Sequence, residues 1–259
     1  MSEKVIKVVP VVKTEKVTEG VFSMWIKDKD LATAAKAGQF VSLYCNDGSQ
    51  LLPRPISICE IDTKEETLRL VYRVVGKGTE EFSKMKAGDE IRVMGPLGNG
   101  FTLEGTEAIL IGGGIGIPPM LQTAKSLHAQ GVKVQVVLGY RDSDLFLKSE
   151  FEPYGSVIVS TEDGSVGTKG NVIDAIKANN VSGDVIMACG PMPMLRGIKS
   201  FAQENSIKAQ ISLEEKMACG IGACLACVCK SKDKDHHTNV NNKRICKDGP
   251  VFYAEEIEI

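Results

Sequence analysis

The sequence has no run of eighteen or so uninterrupted apolar residues, so it offers no helical membrane span. Its opening residues, MSEKVIKVVPVV, lack the apolar core and small-residue cleavage site of a secretory signal. There is no excess of charge of either sign: 31 Lys and Arg stand against 33 Asp and Glu, a formal net charge of -2. Nothing in that balance marks a binder of nucleic acid or of anionic membranes. Internal repeats and long low-complexity segments are also missing. These absences lead to the expectation of a cytoplasmic globular protein with no nucleic-acid and no membrane partner. In that compartment the eight cysteines should be reduced, and a disulfide framework is not expected.

What is present is ordinary in bulk, with 43% hydrophobic and 25% charged residues. A length of 259 residues suggests two domains and a small appendage. The first hundred residues hold short β-like runs, among them VFSMWIK, QFVSLYC, PISICEI, TLRLVYRVV and DEIRVMGP, separated by turn signals such as NDGS and KAGD. Regular short strands of this kind predict an antiparallel barrel or sandwich. Near residue 105 the pattern changes. AILIGGGIGIPPMLQTAKSLHAQG reads as a buried strand, a glycine-rich turn and an amphipathic helix; KVQVVLGYRD, GSVIVSTED and DVIMACGP follow as strands, with NVIDAIKANN and PMLRGIKSFAQEN as helices. Strands alternating with helices predict a parallel sheet covered on both faces. The expected division is a β-barrel over 1–103, an α/β domain over 104–209 and a small module over 210–259.

The cysteines are unevenly spread. Cys45 and Cys59 lie in strand-like runs and read as small buried hydrophobes. Five others cluster near the end of the chain: Cys219, Cys224, Cys227, Cys229 and Cys246. Cys219, Cys224 and Cys227 follow C-x4-C-x2-C, and eighteen residues separate Cys227 from Cys246. That is the plant-type ferredoxin rhythm for a [2Fe–2S] cluster. Gly220, Gly222, Ala223 and Ala226 fill the gaps, leaving room for a loop to wrap closely around a cluster, and glycine admits unusual φ. The rival reading is structural zinc, whose sites usually pair two cysteines twice over, whereas only Cys246 serves the second half here. Cys229 in an extended stretch points away from Cys227 and reads as a spectator, with the alternative that it is itself a ligand. His236 and His237 read as solvated loop histidines.

Two further segments offer sites for anions. LLPRPISIC places Arg54 and Ser57 on a strand, a fixed cation and a hydroxyl; a solvated edge arginine is the alternative. In VYRVVGKGTEEF, Gly76, Gly78 and Thr79 precede a helix whose N-terminus presents N–H groups suited to phosphate, or simply caps the helix. LIGGGIGIPPM is a poor Rossmann fingerprint, since Pro118 and Pro119 follow Gly112, Gly113, Gly114 and Gly116; taken alone it is a strand-to-helix turn.

Taken in order, these segments resemble the ferredoxin–NADP reductase superfamily. There an Arg-Pro-x-Ser strand and a Gly-Thr helix start belong to the flavin domain, a GGG turn opens the nicotinamide domain, and a CGP, here Cys189, Gly190 and Pro191, closes one of its late strands. SLEEKMACGIGACLACVC followed by RICKDGPVF resembles more narrowly the electron-transfer subunits of two-subunit, NAD-dependent dihydroorotate dehydrogenases, over essentially the whole chain. The resemblance implies an antiparallel flavin-binding β-barrel, a parallel-sheet nicotinamide-binding domain and a C-terminal [2Fe–2S] module. It implies FAD on Arg54, Pro55, Ile56, Ser57, Val71, Tyr72, Arg73, Gly78 and Thr79. NAD, as exchangeable co-substrate, falls to Gly112, Gly113, Gly114, Gly116, Cys189, Gly190 and Pro191, and the cluster to Cys219, Cys224, Cys227 and Cys246. It also implies an FMN-containing dihydroorotate dehydrogenase catalytic subunit as partner, in a two-plus-two heterotetramer. Flavin–nicotinamide hydride exchange needs no acid or base, so no catalytic side chain is nominated. The alternatives are the small subunit of another NAD(P)H–flavin–iron–sulfur oxidoreductase, of ferredoxin:NADP or sulfur-reducing type, and a zinc-stabilised binding module. Arg141 and Asp142 in GYRDSD leave NAD against NADP open by themselves.

Overall fold

The computed structural model describes residues 6–234 and 239–259; His236 and His237 lie outside the described residues. The first strands close a six-stranded antiparallel barrel in the order β1-β2-β5-β4-β3-β6. Its elements are β1 (Ile6–Thr18), β2 (Val21–Lys27), α1 (Lys29–Ala34), β3 (Phe40–Tyr44), β4 (Arg54–Asp62), β5 (Thr67–Arg73), α2 (Lys77–Lys84) and β6 (Glu90–Leu97). Alternation sends one set of side chains inward, and Val9, Val11, Met24, Ile26, Leu43, Ile58, Leu70 and Val93 fill the interior. The helix α1 was not expected from the sequence; it is short, and Asp28 caps it by accepting from Leu31 N at 2.8 Å.

The second unit is built on β7 (Glu107–Gly113), α3 (Ile117–Ala129), β8 (Lys133–Tyr140), α4 (Lys148–Phe151), β9 (Ser156–Thr161), β10 (Thr168–Lys169), α5 (Val172–Ala178), β11 (Val185–Cys189), α6 (Met192–Glu204) and β12 (Lys208–Ser212). The last stretch adds β13 (Val228–Ser231), β14 (Asn242–Arg244), β15 (Val251–Tyr253) and β16 (Ile257–Glu258). A seven-stranded sheet runs β10-β9-β8-β7-β11-β12-β15, parallel throughout except for the last pair. β13, β14 and β16 form a separate three-stranded sheet. The cysteine module is thus sewn onto the seven-stranded sheet by its own β15. The 209/210 division falls inside β12.

Two apolar seams join these parts. On one face of the sheet, Val21, Cys59 and Val71 of the barrel pack with Leu110, Ile117, Met120 and Leu138. On the other, Phe40, Met94 and Leu97 share a core with Ile186, Ile198, Cys227, Ile245 and Cys246. The first seam carries one charged knot. Arg69 of β5 is almost fully buried, stacks over Trp25 with 4.9 Å to the ring centroid, and donates to Ser23 Oγ at 2.9 Å. Its guanidinium also forks onto Glu150 of α4, with one arm at 3.1 Å, and lies 3.5 Å from Glu60, which in turn pairs with Lys125 of α3. Breaking a buried pair from one side typically costs roughly 3–5 kcal/mol, and the partly exposed carboxylates place this case toward the lower end. Arg69→Ala is therefore expected to lower the apparent melting temperature by several degrees. A calorimetric scan of the protein checks this, and an unchanged melting point contradicts it.

Candidate functional site

Two clefts open between these parts. The first, about 820 Å³, lies between the barrel and the segment leading out of β12; Phe40, Arg54, Pro55, Ser57, Glu214 and Met217 are among its walls. That volume lies in the range of cofactor sites. Arg54 opens β4, and its guanidinium is held by Leu52 O and by Gln50 Oε1 at 2.6 Å. It rests directly over Gly78 in the first turn of α2: a Cβ there would come within 2.6 Å of Arg54 Nε. Only a glycine lets the cation lie against the helix N-terminus, where both favour an anion. This cradle suits a diphosphate-bearing flavin such as FAD.

The other residues expected at the flavin are distributed by the strand's period of two. Tyr72 points into the barrel, where its ring meets Phe82 edge-on and its buried hydroxyl has no partner among the described residues. Val71 enters the seam with the sheet. Arg73 lines the second cleft instead of the first. The Thr79 hydroxyl is engaged in capping, accepting from Val75 N at 3.0 Å and donating to Gly76 O at 3.0 Å, which leaves its backbone as the part able to face a phosphate.

The second cleft, about 490 Å³, sits at the carboxyl ends of the parallel strands, where open α/β sheets bind their ligands. Gly113, Gly114, Gly116, Gly190 and Pro191 line it. Gly112 and Cys189 lie side by side in register on β7 and β11, beneath the lining. The crossing is tight: a Cβ on Gly116 would stand 2.4 Å from Cys189 O. Burial pushes the Cys189 thiol up to about 12, so it stays neutral. Ser160 contributes a buried hydroxyl with no partner among the described residues, on the wall of the cleft, a vacant hydrogen-bonding position suited to a nucleotide. Arg141, Asp142, Asp144 and Glu162 ring the same space.

The sequence reading missed Glu214. It lies on the wall common to both clefts. It is open to cleft solvent yet flanked by protein, and desolvation pushes its carboxyl above the usual range. No motif signalled it, since an acid after a strand is an ordinary sight; only the folding of β12 between two cavities gives it a place.

Five residues further on, the chain enters the cysteine loop. Gly220 and Gly222 both have left-handed φ, +69° and +82°, as the filler residues suggested. The turn they permit aims backbone N–H groups at sulfur. Cys219 Sγ accepts from Ala223 N at 3.3 Å and Ile221 N at 3.5 Å; Cys246 Sγ accepts from Gly222 N at 3.1 Å, and Cys227 Sγ from Cys246 N at 3.4 Å. Buried Arg244 braces the loop by donating to Gly222 O at 3.2 Å and to Asp248. Electrostatically, Cys219 interacts with Cys224, and Cys246 interacts with Cys227 most strongly and also with Cys219. Desolvation raises the Cys219 thiol, but donation from Ile221, Cys224 and Ala223 outweighs it and brings it to about 6. Among the described residues no three His, Cys, Asp or Glu side chains converge as ligands of a single metal ion. Four thiols gathered on one loop and its neighbour suit a [2Fe–2S] cluster, each iron of which takes two thiolates. Cys229 lies on β13, half-buried against the core, its thiol pushed up to about 11 chiefly by burial.

A flavin-type barrel beside a nicotinamide-type sheet, followed by a thiolate loop, defines a ferredoxin-reductase-like electron transferase. The chain matches the oxidoreductase NAD-binding domain over residues 110–200 and the iron–sulfur cluster binding domain of dihydroorotate dehydrogenase B over residues 214–258. It is 45% identical over 254 residues to the electron transfer subunit of dihydroorotate dehydrogenase B (NAD(+)) from Fusobacterium nucleatum subsp. nucleatum, covering 94% of this chain and 95% of that one. The subunit of the same description from Listeria monocytogenes serovar 1/2a is 48% identical over 227 residues, covering 86% and 87%. Among solved structures, an NADH-dependent reduced ferredoxin-NADP oxidoreductase superposes with a TM-score of 0.86 at 33% identity, over 100% of this chain and 91% of that chain. The chain belongs to the family of electron-transfer subunits of NAD-dependent dihydroorotate dehydrogenase B. The family brings FAD, a [2Fe–2S] cluster and NAD as its cofactors.

Two outcomes check the site. Ser in place of Cys219, Cys224, Cys227 or Cys246 should remove or cripple the cluster, whereas Cys229→Ser should retain it; iron content and the visible spectrum report this, and iron loss in Cys229→Ser alone contradicts the assignment. Gly78→Ala should displace Arg54 and reduce flavin retention as Arg54→Ala does; full FAD occupancy in a well-folded Gly78→Ala protein contradicts the cradle.

Proposed function

We propose that this chain carries electrons from a dihydroorotate-oxidising, FMN-containing subunit through a [2Fe–2S] cluster and FAD to NAD+, within a heterotetramer of two copies of each chain. The chain is the electron-transfer component of an oxidoreductase complex of pyrimidine biosynthesis and works with a separate catalytic subunit. Flavin is the necessary intermediary, since nicotinamide exchanges electrons in pairs and the cluster singly.

One observation carries the ordering. The segment Ser212–Met217 walls the first cleft, shares Glu214 with the second, and runs directly into Cys219. Nicotinamide, flavin and cluster sites are thereby strung along one short piece of backbone. In this reading Arg54, Pro55, Ile56, Ser57 and the Gly78–Thr79 backbone hold the flavin; Gly113, Gly114, Gly116, Gly190 and Pro191 hold the dinucleotide; the four cysteines hold the cluster. The acids Asp142, Asp144 and Glu162 near Arg141 disfavour an added 2′-phosphate, which supports NAD over NADP. The working division is 1–103, 104–209 and 210–259, with β15 stitching the third unit to the second.

The cluster has an outward side. Cys227 and Cys246 are buried, but Cys224 is exposed, and Ile221, Leu225 and Val228 stand around it with about two-fifths of their surface in water. An apolar rim around an electron exit suits a docking surface. No helix among the described residues is long and apolar enough to cross a membrane; a cytoplasmic location is part of the proposal.

The isolated flavin- and cluster-loaded chain should pass electrons from NADH to an artificial acceptor but should not oxidise dihydroorotate with NAD+ until the catalytic subunit is added. Adding it should restore turnover in proportion to complex formed. Dihydroorotate oxidation by the purified chain alone contradicts the reading.

A further inference from the structure

Between the flavin cleft and the cysteine loop stands a single buried hydroxyl that nothing described so far uses. Ser42 lies in the middle of β3, fully buried, and its Oγ has no hydrogen-bond partner among the described residues. Its neighbours on the same outward face of the strand are Phe40 and Tyr44, both packed against the core that holds Cys227 and Cys246. Across the sheet it is flanked by Pro55 of the Arg-Pro-x-Ser strand on one side and Met94 on the other. Phe40 lines the flavin cleft, and the Met94 methyl reaches to 3.2 Å from where a Cβ of Gly220 would stand. Ser42 Oγ is nearer still, 3.1 Å from that same point. The absent side chain at Gly220 is what brings the hydroxyl up against the cysteine loop.

An apolar residue would fill this position without stranding a donor. Burying a hydroxyl unpaired is costly, and native structures rarely tolerate it without a missing acceptor. No cysteine sulfur among the described residues reaches Ser42 Oγ, yet the cysteine loop lies against it at Gly220, and the bridging sulfides that a [2Fe–2S] cluster would bring there are anionic acceptors. We propose that Ser42 is a tuning residue, its hydroxyl donating a hydrogen bond to a sulfur of the bound [2Fe–2S] cluster on the side facing the flavin. This rests on the cluster reading above. A donor to cluster sulfur stabilises the more negative, reduced form and so raises the reduction potential. Ser42 then makes the cluster a better electron acceptor without being a ligand.

The test is an EPR-monitored redox titration of the cluster-loaded protein. Ser42→Ala and Ser42→Gly each remove the hydroxyl without adding volume, and Ser42→Thr retains it. The expected result is a full complement of iron in all three, a downward shift of the cluster midpoint potential in the Ala and Gly variants, and a potential near that of the parent in Ser42→Thr. An unchanged potential in both hydroxyl-free variants overturns the proposal. A shift in Ser42→Thr equal to that in Ser42→Ala also overturns it, because packing and not the hydrogen bond would then set the potential. If the parent protein itself holds iron but shows no [2Fe–2S] signal on reduction, the underlying cluster reading fails, not the role of Ser42.

Discussion

The arrangement depends on one short antiparallel pairing. β15 adds to the edge of the parallel sheet against β12, with Ile211 opposite Phe252, and Leu213 N donates to Pro250 O at 2.9 Å. A parallel sheet built from βαβ units ends on an edge strand with unpaired backbone groups. Here the edge is closed by residues from beyond the cysteine loop. The loop from Glu214 to Asp248 is thus tied at both ends to the same strand, and its thiolates are fixed relative to the clefts. Without that pairing the cluster-bearing segment would be a tethered appendage, and its separation from the flavin would fluctuate.

The rest of the packing defends the same geometry. Asn99, just after β6, donates to Lys247 O and Asp248 O, so the barrel grips the far end of the loop as well. Arg244 braces the near end from inside. The seam of Phe40, Met94 and Leu97 with Ile245 and Cys246 is almost fully buried between the first cleft and the cysteine loop, where a low dielectric strengthens every oriented dipole. The barrel therefore serves the cluster as much as the flavin: its outer face is the floor on which the cysteine loop rests.

Much of this could be read from the sequence, and the reason is locality. The barrel strands, the GGG turn and the cysteine spacing are patterns within a dozen residues, each set by its own backbone needs. Gly220 and Gly222 permit left-handed turns, and both take them. What stayed hidden is what arises only from long-range contact. The pairing of Val251–Tyr253 with β12 joins segments across the whole cysteine loop, and it places the end of the second unit inside a strand that the third unit shares. Glu214 and Ser42 look commonplace in sequence and gain meaning from the cavities beside them. The resemblance implies one flavin-binding stretch at Val71, Tyr72 and Arg73, and the alternation of β5 turns Tyr72 into the barrel and Arg73 to the second cleft.

Electrons should move between nicotinamide and cluster only by way of the flavin held between them. This is tested most directly by rapid mixing of the loaded protein with NADH, following flavin and cluster absorbance separately, before and after the FAD is stripped. The flavin should bleach first and the cluster follow, and in the FAD-free protein, with its iron intact, the cluster should stay oxidised. Reduction of the cluster by NADH at an undiminished rate without FAD would contradict it.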